Sequence, residues 1–482
     1  MLPIITVILG VMTVYQILIF ALHAYRTIGF PFQLDYGEGP ILQIAMRVAR
    51  GQALYPPIAQ PPYAIASYEP LYYLLSALGV RITGPSFLFG RLVSLASILA
   101  VAICAGLVVW VQTRHRFAAF LACGTILAMP HVMVWSTLMR VDPLAVGLAF
   151  VGFYLYTRGH RAGAIPVFAL GAFARRTNLA GMGAAFVDDA RKRGWRPAAR
   201  AFTVQVALIV LLMVGAVLVT RGGMYHQLAV HTASSLGKAW SWEQLWSLIL
   251  YPLRVWPVYF AITLIGAGWC ARRREQRLLF LFFVFACVIF LTGGRIGSAH
   301  NYLIEPTAIG MMMVGVMWAD LSRRGPGIPA AVLIAIGGAI AIQMVWTGRN
   351  LPYSISLVQP KANGMSSARV VDLLRDAPGE VVCEDTGLAA LAGRPDTLMP
   401  FEFTQMARRG ALDPKPVFEK VREGRYALII TRFNPLDPHE IELHRPGEDW
   451  KAGRWPDGFV EAMVRRYRLA EEADPYFVFV RR

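Results

Sequence analysis

Eleven apolar segments, most of them close to the length of a bilayer crossing, constrain the fold of this chain more than any other feature. They lie at about residues 3–24, 87–111, 117–137, 142–157, 162–174, 177–187, 201–220, 245–269, 278–292, 303–319 and 328–347. Hydrophobic residues fill 56% of the 482 positions and charged residues only 16%, which is more apolar surface than a soluble core buries. The sequence therefore predicts a polytopic α-helical membrane protein with about 11 crossings.

The net charge of +17 is unevenly distributed and orients the protein in the membrane. Residues 1–347 hold 27 Lys and Arg against 10 Asp and Glu, whereas residues 348–482 hold 20 of each. The excess lies in every second loop, as is typical of cytoplasmic loops. We therefore expect the N-terminus in the cytoplasm and the C-terminal residues outside. No basic surface interleaved with aromatic residues lies beyond these loops, so nucleic acid is not an expected partner.

Two short apolar segments, 162–174 and 177–187, are predicted to form a hairpin. The basic loops at 158–161 and 191–200 should share one side of the membrane, which requires an even number of passes between them. Each segment is too short to cross a bilayer of about 30 Å at about 1.5 Å per residue. We expect two helices that enter only part of the bilayer, with Arg175 and Arg176 near the outer tip of the hairpin.

The composition of the chain changes near residue 347, which predicts two domains. Residues 1–347 form the predicted transmembrane domain, including a long outer loop at 25–86 with short surface helices at 39–50 and 70–82. Residues 348–482 form a predicted extracytoplasmic α/β domain. Its predicted strands are GEVVCEDT, YALIITRF and YFVFVRR, and its predicted helices are VVDLLRDA and PVFEKVREG.

Six of the ten acidic residues in the transmembrane domain fall on the predicted outer side. They are Asp35, Glu38, Glu69, Asp142, Glu243 and Glu305. Asp35 and Glu38 lie in the segment LDYGEG, whose glycines permit tight turns, and a carboxylate there is suited to deprotonate an acceptor hydroxyl. The alternative is an ordinary solvated turn. Glu69 and Asp142 each precede a proline at a predicted helix start, where helix capping is the alternative to a substrate contact. For Asp142 an ion pair with Arg140 is a further alternative.

The segment 293–306, GGRIGSAHNYLIEP, is the outer loop densest in groups capable of chemistry. It holds Arg295, His300, Asn301, Tyr302 and Glu305. An arginine at the membrane edge suits a phosphate, because its planar fork binds two oxygens at once. A glutamate in an apolar span indicates a cavity or a partner, with a purely structural ion pair as the alternative. A second group of cations, His226, His231 and Lys238, is interpreted mainly as solvated.

These motifs, in this order, resemble the GT-C superfamily of membrane glycosyltransferases. The likeness rests on Leu34–Gly39, Tyr68–Tyr73, Arg140–Pro143, the hairpin at 162–187 and the stretch Asn301–Glu305. It covers residues 1–347, and the C-terminal part only loosely. The resemblance implies an inverting transfer of a sugar from a polyprenyl-phosphate donor to an acceptor hydroxyl of a lipid, polysaccharide or protein, on the outer face of a bacterial inner membrane.

The resemblance also implies roles for individual residues. Asp35 is the expected catalytic base, with Glu38 beside it, while Arg176 and Arg295 are expected to bind the donor phosphate. The residues expected to contact substrate are Glu69, Asp142, His300, Asn301, Tyr302 and Glu305. No nucleotide or other cofactor is required, although the acids at 35, 38 and 142 could hold a divalent metal such as Mg or Mn.

Two other classes of function remain open from the sequence. A transporter or flippase of a lipid-linked substrate would place its charged residues near the bilayer centre, often in repeated halves. A non-catalytic assembly protein would use the C-terminal domain to bind a partner and would not need Asp35. Substitution of Asp35 distinguishes an enzyme from both.

Overall fold

The computed structural model describes residues 2–233, 240–295, 297–324, 327–356, 363–394, 398–437, 454–456 and 458–482. The chain folds into two compact units. The helical unit comprises Met1–Gly29, Arg91–Val214 and Lys238–Val358, and the mixed unit comprises Phe30–Gly90, Gly215–Gly237 and Gln359–Arg482. Most of the predicted outer loop thus belongs to the same unit as the C-terminal residues.

The helices that make up the helical unit correspond to all eleven predicted apolar segments. They are α1 Leu2–Ile28, α4 Leu88–Thr113, α5 Arg116–Leu127, α6 Pro130–Ser136, α7 Val141–Thr157, α8 Arg161–Ala174, α9 Ala180–Arg193, α10 Trp195–Val219, α12 Trp242–Val255, α13 Pro257–Ala271, α14 Arg277–Phe290, α15 Ile304–Ser322 and α16 Ile328–Ser356. Short 3₁₀ turns occupy Arg274–Gln276, Leu291–Gly294 and His300–Leu303.

Six of the described helices are long and apolar enough to cross a membrane, and the number rises to eight if each of two bent helix pairs counts as one span. The pairs are α5 with α6, bent by 69°, and α12 with α13, bent by 104°. Pro130 and Pro257 open the second helix of each pair, where a proline is tolerated but the preceding residue is driven out of helical geometry. Helices α7 and α8 are also apolar but are shorter than these spans.

Helix α15 forms the centre of the helical unit, with nearly all of its residues buried against α5, α13, α14 and α16. Small residues allow this close packing, as is common between membrane helices. A Cβ added at Gly310 would fall 2.5 Å from the Thr263 methyl group, and one at Gly315 would fall 3.1 Å from the Ala118 carbonyl oxygen. The fold is therefore the predicted polytopic α-helical one.

The described residues of the mixed unit form eight further helices and four strands. The helices are α2 Glu38–Ala49, α3 Pro70–Thr83, α11 Gly223–Ala233, α17 Asn363–Asp376, α18 Thr386–Leu391, α19 Pro400–Arg408, α20 Lys415–Arg422 and α21 Phe459–Arg466. The strands are β1 Glu380–Cys383, β2 Tyr426–Thr431, β3 Tyr467–Ala473 and β4 Tyr476–Arg481. Strands β1, β2 and β4 and helices α17 and α20 match predicted elements of the α/β region, whereas β3, α18, α19 and α21 were not anticipated.

The four strands form one sheet in the order β1-β2-β4-β3. Strands β1 and β2 are parallel, with Val382 opposite Ile429, and the other pairs are antiparallel. Successive side chains point to opposite faces, so Val382 joins the core formed with α19–α21 while its neighbour Cys383 joins the core formed with α17 and α18. The sheet is therefore covered by helices on both faces.

Helix α2 differs from the surface helix that the sequence predicted. Its residues Glu38–Arg47 are all buried, because it packs against α3 on one side and α18 of the C-terminal region on another. Its hydrophobic and small residues therefore serve a protein core. The acidic segment that leads into α2 is consequently held within the mixed unit.

Candidate functional site

The acidic segment 33–39, termed here the acidic loop, is a tight turn that leads into α2. The backbone N–H groups of Leu34 and Asp35 donate to Glu38 Oε2 at 2.7 and 3.4 Å, and the Gly37 N–H donates to Asp35 Oδ2 at 2.9 Å. Glu38 is fully buried, whereas Asp35 is half-buried. Of the two predicted catalytic carboxylates, Glu38 thus shapes the turn and Asp35 remains accessible.

Two side chains of the acidic loop bind the C-terminal part of the mixed unit. The Gly387 N–H donates to Gln33 Oε1 at 2.8 Å. The Tyr36 hydroxyl donates to Glu402 Oε2 at 2.8 Å and accepts from the Phe401 N–H at 3.1 Å. Burial, followed by the charge of Glu402, raises the pKa of Tyr36 well above its ordinary value, so this hydroxyl stays protonated and remains a donor.

Glu69 is the N-cap residue of α3 and is buried, but its side chain makes no capping hydrogen bond. The side chain of Glu69 therefore does not cap α3. Its role as a substrate contact stays a prediction.

A buried glutamine of α11, Gln227, binds backbone groups of the proline-rich stretch 56–66. Gln227 Oε1 accepts from the Ala66 N–H at 2.7 Å, and its Nε2 donates to the Pro56 and Ala64 carbonyls at 2.6 and 3.2 Å. Three backbone groups that no regular element pairs are satisfied in this way. Gln227 was not identified from the sequence.

In the helical unit, Arg175 lies at the break between α8 and α9. Its Nη1 is 2.6 Å from Asp142 Oδ1, at the first turn of α7, and its guanidinium carbon is 4.3 Å from the centre of the Tyr302 ring. Asp142 is 1% exposed, so its charge needs this cation. The predicted break in the hairpin is present, and it is Arg175 that forms this ion pair, while Arg176 lies half-buried beside it.

A small cavity opens beside this ion pair. Among the residues that line it are Arg175, Asn178, Asn301, Tyr302 and Glu305. Asn178 Nδ2 donates to the Ala145 carbonyl at 2.5 Å, which fixes the chain between α8 and α9. Glu305 is 7% exposed, and its Oε1 accepts no hydrogen bond from the described residues. The helical unit thus brings four predicted site residues, Asp142, Asn301, Tyr302 and Glu305, to one place.

Two further candidates of the helical unit, Arg295 and His300, are not among the residues that line this cavity. Arg295 is half-buried and its backbone pairs with that of Trp240. The His300 ring stacks on Tyr251, with ring centres 3.8 Å apart. The substrate-binding roles of Arg295 and His300 stay predictions.

Of the second group of predicted cations, His226, His231 and Lys238, the structure describes the side chain of one. His226, in the mixed unit, is exposed. The side chains of His231 and Lys238 lie outside the described residues.

Several residues that organise these sites escaped the sequence analysis, among them Gln33, Tyr36, Asn178, Gln227 and Glu402. Gln33 and Tyr36 reach partners more than 350 positions away, and Gln227 reaches partners more than 160 positions away. A polar residue in an ordinary setting carries no local signal of such a contact. Buried polar residues become recognisable only when their partners are known.

Within the part of the chain that the structure describes, no three His, Cys, Asp or Glu side chains are grouped closely enough to hold a metal ion. The Asp35 and Glu38 carboxylates already bind backbone N–H groups. A divalent metal therefore has no assembled site among these residues, and metal dependence of the chemistry stays a prediction to be tested.

The described residues form a polytopic α-helical unit and a mixed unit built on a four-stranded sheet. Two solved structures share this fold over nearly the whole chain. They are ArnT from Cupriavidus metallidurans bound to undecaprenyl phosphate, at 10% identity, and the same protein in the apo state, at 11% identity. Both have a TM-score of 0.62 and cover 97% of this chain and 97% of their own.

No protein-family model and no curated protein matches this chain. At 10 to 11% identity the likeness to ArnT establishes the fold alone, because one fold can support different functions.

Proposed function

We propose that this protein is a membrane glycosyltransferase that moves a sugar from a polyprenyl-phosphate donor to an acceptor hydroxyl on the outer face of the membrane. The observation that carries the proposal is the Arg175 site. A guanidinium is held at the break of a helical hairpin by Asp142 and Tyr302, at the edge of a cavity. An arginine whose position is fixed in this way is suited to receive the phosphate of a lipid-borne donor.

The fold supports the same donor class. The ArnT structure of the same fold contains undecaprenyl phosphate, a polyprenyl phosphate, as its bound ligand. A donor of this kind is already activated by its phosphate linkage, so the proposed transfer needs no nucleotide.

In the proposed reaction, Asp35 takes the proton of the acceptor hydroxyl as that oxygen attacks the anomeric carbon. A new carbon–oxygen bond forms on one face of the sugar while the bond to the phosphate oxygen breaks on the other, which inverts the anomeric configuration. The polyprenyl phosphate leaves with the bonding electron pair, and an arginine stabilises its charge. Asp35 suits the role of base because it is half-buried and fixed by the turn.

Arginine is the proposed phosphate ligand, with Arg175 the leading candidate and Arg176 and Arg295 as further ones. Glu69, Asp142, His300, Asn301, Tyr302 and Glu305 are proposed to position the sugar or the phosphate. For Asp142 the proposed action is indirect, since its carboxylate fixes Arg175. The acceptor is a lipid, a polysaccharide or a protein, and its class is left to experiment.

The proposal is tested by mass spectrometry of glycans and glycolipids from the source organism. A deletion strain is complemented with the wild-type chain, with Asp35→Asn or with Asp372→Asn, a control at an exposed carboxylate of α17 that pairs with Arg375. Membrane levels of the three proteins are matched by immunoblot.

We expect one sugar to disappear in the deletion strain, to return with the wild type and Asp372→Asn, and to stay absent with Asp35→Asn. The molecule that loses the sugar identifies the acceptor. A full return with Asp35→Asn would overturn the role of Asp35 as base, whereas an unchanged glycan profile in the deletion strain would overturn the transferase proposal and favour a transporter or an assembly protein.

A further inference from the structure

The C-terminal α/β region carries polar groups at the edge where such sheets commonly bind ligands. Strands β1 and β2 run parallel, and their carboxyl ends meet at residues 384–387 and at Arg432. Ligands of parallel sheets usually bind beyond this edge. Here the edge is occupied by another part of the same unit, the acidic loop.

The contacts between this edge and the acidic loop are close and specific. Gly387 donates to Gln33, and a Cβ added at Gly39 would lie 2.5 Å from the Thr386 hydroxyl and 2.6 Å from the Gly387 nitrogen. A Cβ at Gly387 would in turn meet Gln33. Only glycine at both positions allows the two backbones to approach so closely.

Tyr36 forms the second part of this contact. Its ring lies 4.4 Å from the guanidinium carbon of Arg454, which donates to Glu384 at 2.8 Å, and both of these charged residues are 2% exposed or less. Its hydroxyl binds Glu402 and Phe401 on α19. The residue between Asp35 and Gly37 is thus fixed on both its ring and its hydroxyl.

We propose that the C-terminal α/β region holds the acidic loop in its catalytic conformation, with Tyr36, Gln33 and Glu402 as positioning residues for Asp35. This inference rests on the proposed function for the role of Asp35, but the contact itself is independent of that role. The C-terminal α/β region, for which the sequence predicted no function, would then position the catalytic base. The edge of its sheet at which ligands commonly bind contacts the loop that carries Asp35.

The experiment combines activity with a measurement of the loop itself. Tyr36→Phe removes the hydroxyl, and Glu402→Gln weakens its contact, because a neutral amide oxygen replaces the carboxylate that accepts from Tyr36. Both variants, and the double variant, preserve the shape of the side chains. Tyr467→Phe is the matched control, because the Tyr467 hydroxyl donates to the Tyr426 carbonyl at 3.1 Å, is buried, and lies in the same region away from the loop. Amide hydrogen exchange of residues 33–39 is followed in purified protein, and sugar transfer is followed in the complemented strain.

We expect Tyr36→Phe and Glu402→Gln each to speed amide exchange in the acidic loop and to lower transfer by about tenfold to a hundredfold, since small displacements of a catalytic group have effects of this size. The double variant should be no worse than Tyr36→Phe, because both substitutions act on the same contact. Binding of undecaprenyl phosphate to the purified variants should stay within about twofold of the wild type, since the phosphate ligands are untouched.

The outcomes separate this inference from the proposed function. If exchange in the acidic loop is unchanged in Tyr36→Phe and Glu402→Gln, the inference is overturned, whatever the activity. If Asp35→Asn abolishes transfer while Tyr36→Phe and Glu402→Gln transfer as well as wild type or Tyr467→Phe, the transferase stands and the positioning role falls. If the wild type transfers no sugar but loop exchange responds as expected, the proposed function falls and the scaffold contact remains.

Discussion

At the scale of single residues, Arg175 has two possible roles that experiment can separate. It neutralises the buried Asp142, and it is proposed to bind a phosphate. Loss of one partner of a buried pair usually costs about 3–5 kcal/mol, whereas loss of both costs far less. The two roles therefore respond differently to a second substitution at Asp142.

We predict that Arg175→Ala lowers thermal stability and that the double variant Asp142→Ala/Arg175→Ala recovers much of it. Both should bind undecaprenyl phosphate about tenfold or more weakly, since a charge-assisted contact is lost. Unfolding in detergent and lipid binding to the purified protein give the two readouts. The pair Arg161 and Asp189, 3.0 Å apart in the same unit, is the control, and Asp189→Ala/Arg161→Ala should leave lipid binding intact. Normal lipid binding by Asp142→Ala/Arg175→Ala would show that Arg175 serves only to neutralise Asp142.

Cys383 provides a test of the mixed-unit core through its pH behaviour. Burial, followed by the charge of Asp385, raises the pKa of the Cys383 thiol well above its ordinary value. The thiolate is the reactive form, so in folded protein the thiol stays protonated and unreactive from neutral pH up to its ordinary pKa. We predict that iodoacetamide at pH 8 modifies Cys383 only after denaturation, as measured by peptide mass spectrometry. Rapid labelling of the folded protein would show that this core is open.

At the scale of structural elements, the stretch 56–66 depends on Gln227 rather than on regular secondary structure. We predict that Gln227→Ala lowers the free energy of unfolding by about 1–3 kcal/mol, because buried backbone groups lose their partners. Limited proteolysis should then cleave the stretch 56–66 first. His226→Ala, on the same helix and exposed, is the control. Equal resistance of both variants would show that other contacts order this stretch.

The approach of α2 to α18 predicts an asymmetric response to glycine substitution. Gly39→Ala introduces a Cβ within 2.6 Å of three atoms, whereas Gly338→Ala, on α16, meets no atom within 4 Å. Overpacking at Gly39 should cost about 1–3 kcal/mol and should displace the acidic loop. The expected result is loss of sugar transfer with Gly39→Ala and normal transfer with Gly338→Ala, compared in the complemented strain. Normal transfer with Gly39→Ala would mean that the loop tolerates this displacement.

The elements themselves were predictable to different degrees. Long apolar runs predicted the helices because length and hydrophobicity decide whether a segment crosses a membrane. The 104° bend between α12 and α13 was not predicted, although Pro257 marks it. Trp256, at this bend, is buried and stacks on the His131 ring. Strand β3 was missed because its exposed face carries charges and its sequence, YRLAEEA, reads equally as a helix.

At the scale of the whole molecule, the charge pattern predicts a topology that is open to test. The basic loops predict an N-terminus in the cytoplasm and residue 482 outside. An alkaline phosphatase fused after Arg482 should therefore be active, and one fused after Arg196 should be inactive. Enzyme activity in cells, normalised to the amount of fusion protein, gives the result. Reversed activities would invert the orientation and remove the acidic residues from the outer face.

The candidate site was predicted where the signal was local and missed where it was not. Asp142, Tyr302 and Glu305 stood out because charged or polar groups beside apolar spans are costly without a purpose. The ion pair between Arg175 and Asp142 required coordinates, because the sequence does not show in which direction each of two adjacent arginines points. The partnership of the acidic loop with Glu402 and Gly387 required the folded chain, because no pattern joins positions so far apart.

Helix α10 is the least enclosed of the long helices described, with only Ala198 and Gln205 buried along its 25 residues. Lipid tails accept any apolar side chain. Because few side chains of α10 pack against protein, the identity of its apolar residues should be weakly constrained. The main requirement on α10 is that it be long and apolar enough to cross the membrane. Its outward positions should drift freely among leucine, valine, isoleucine and alanine over evolution, and an engineer could exchange most of this segment without redesigning a protein interface.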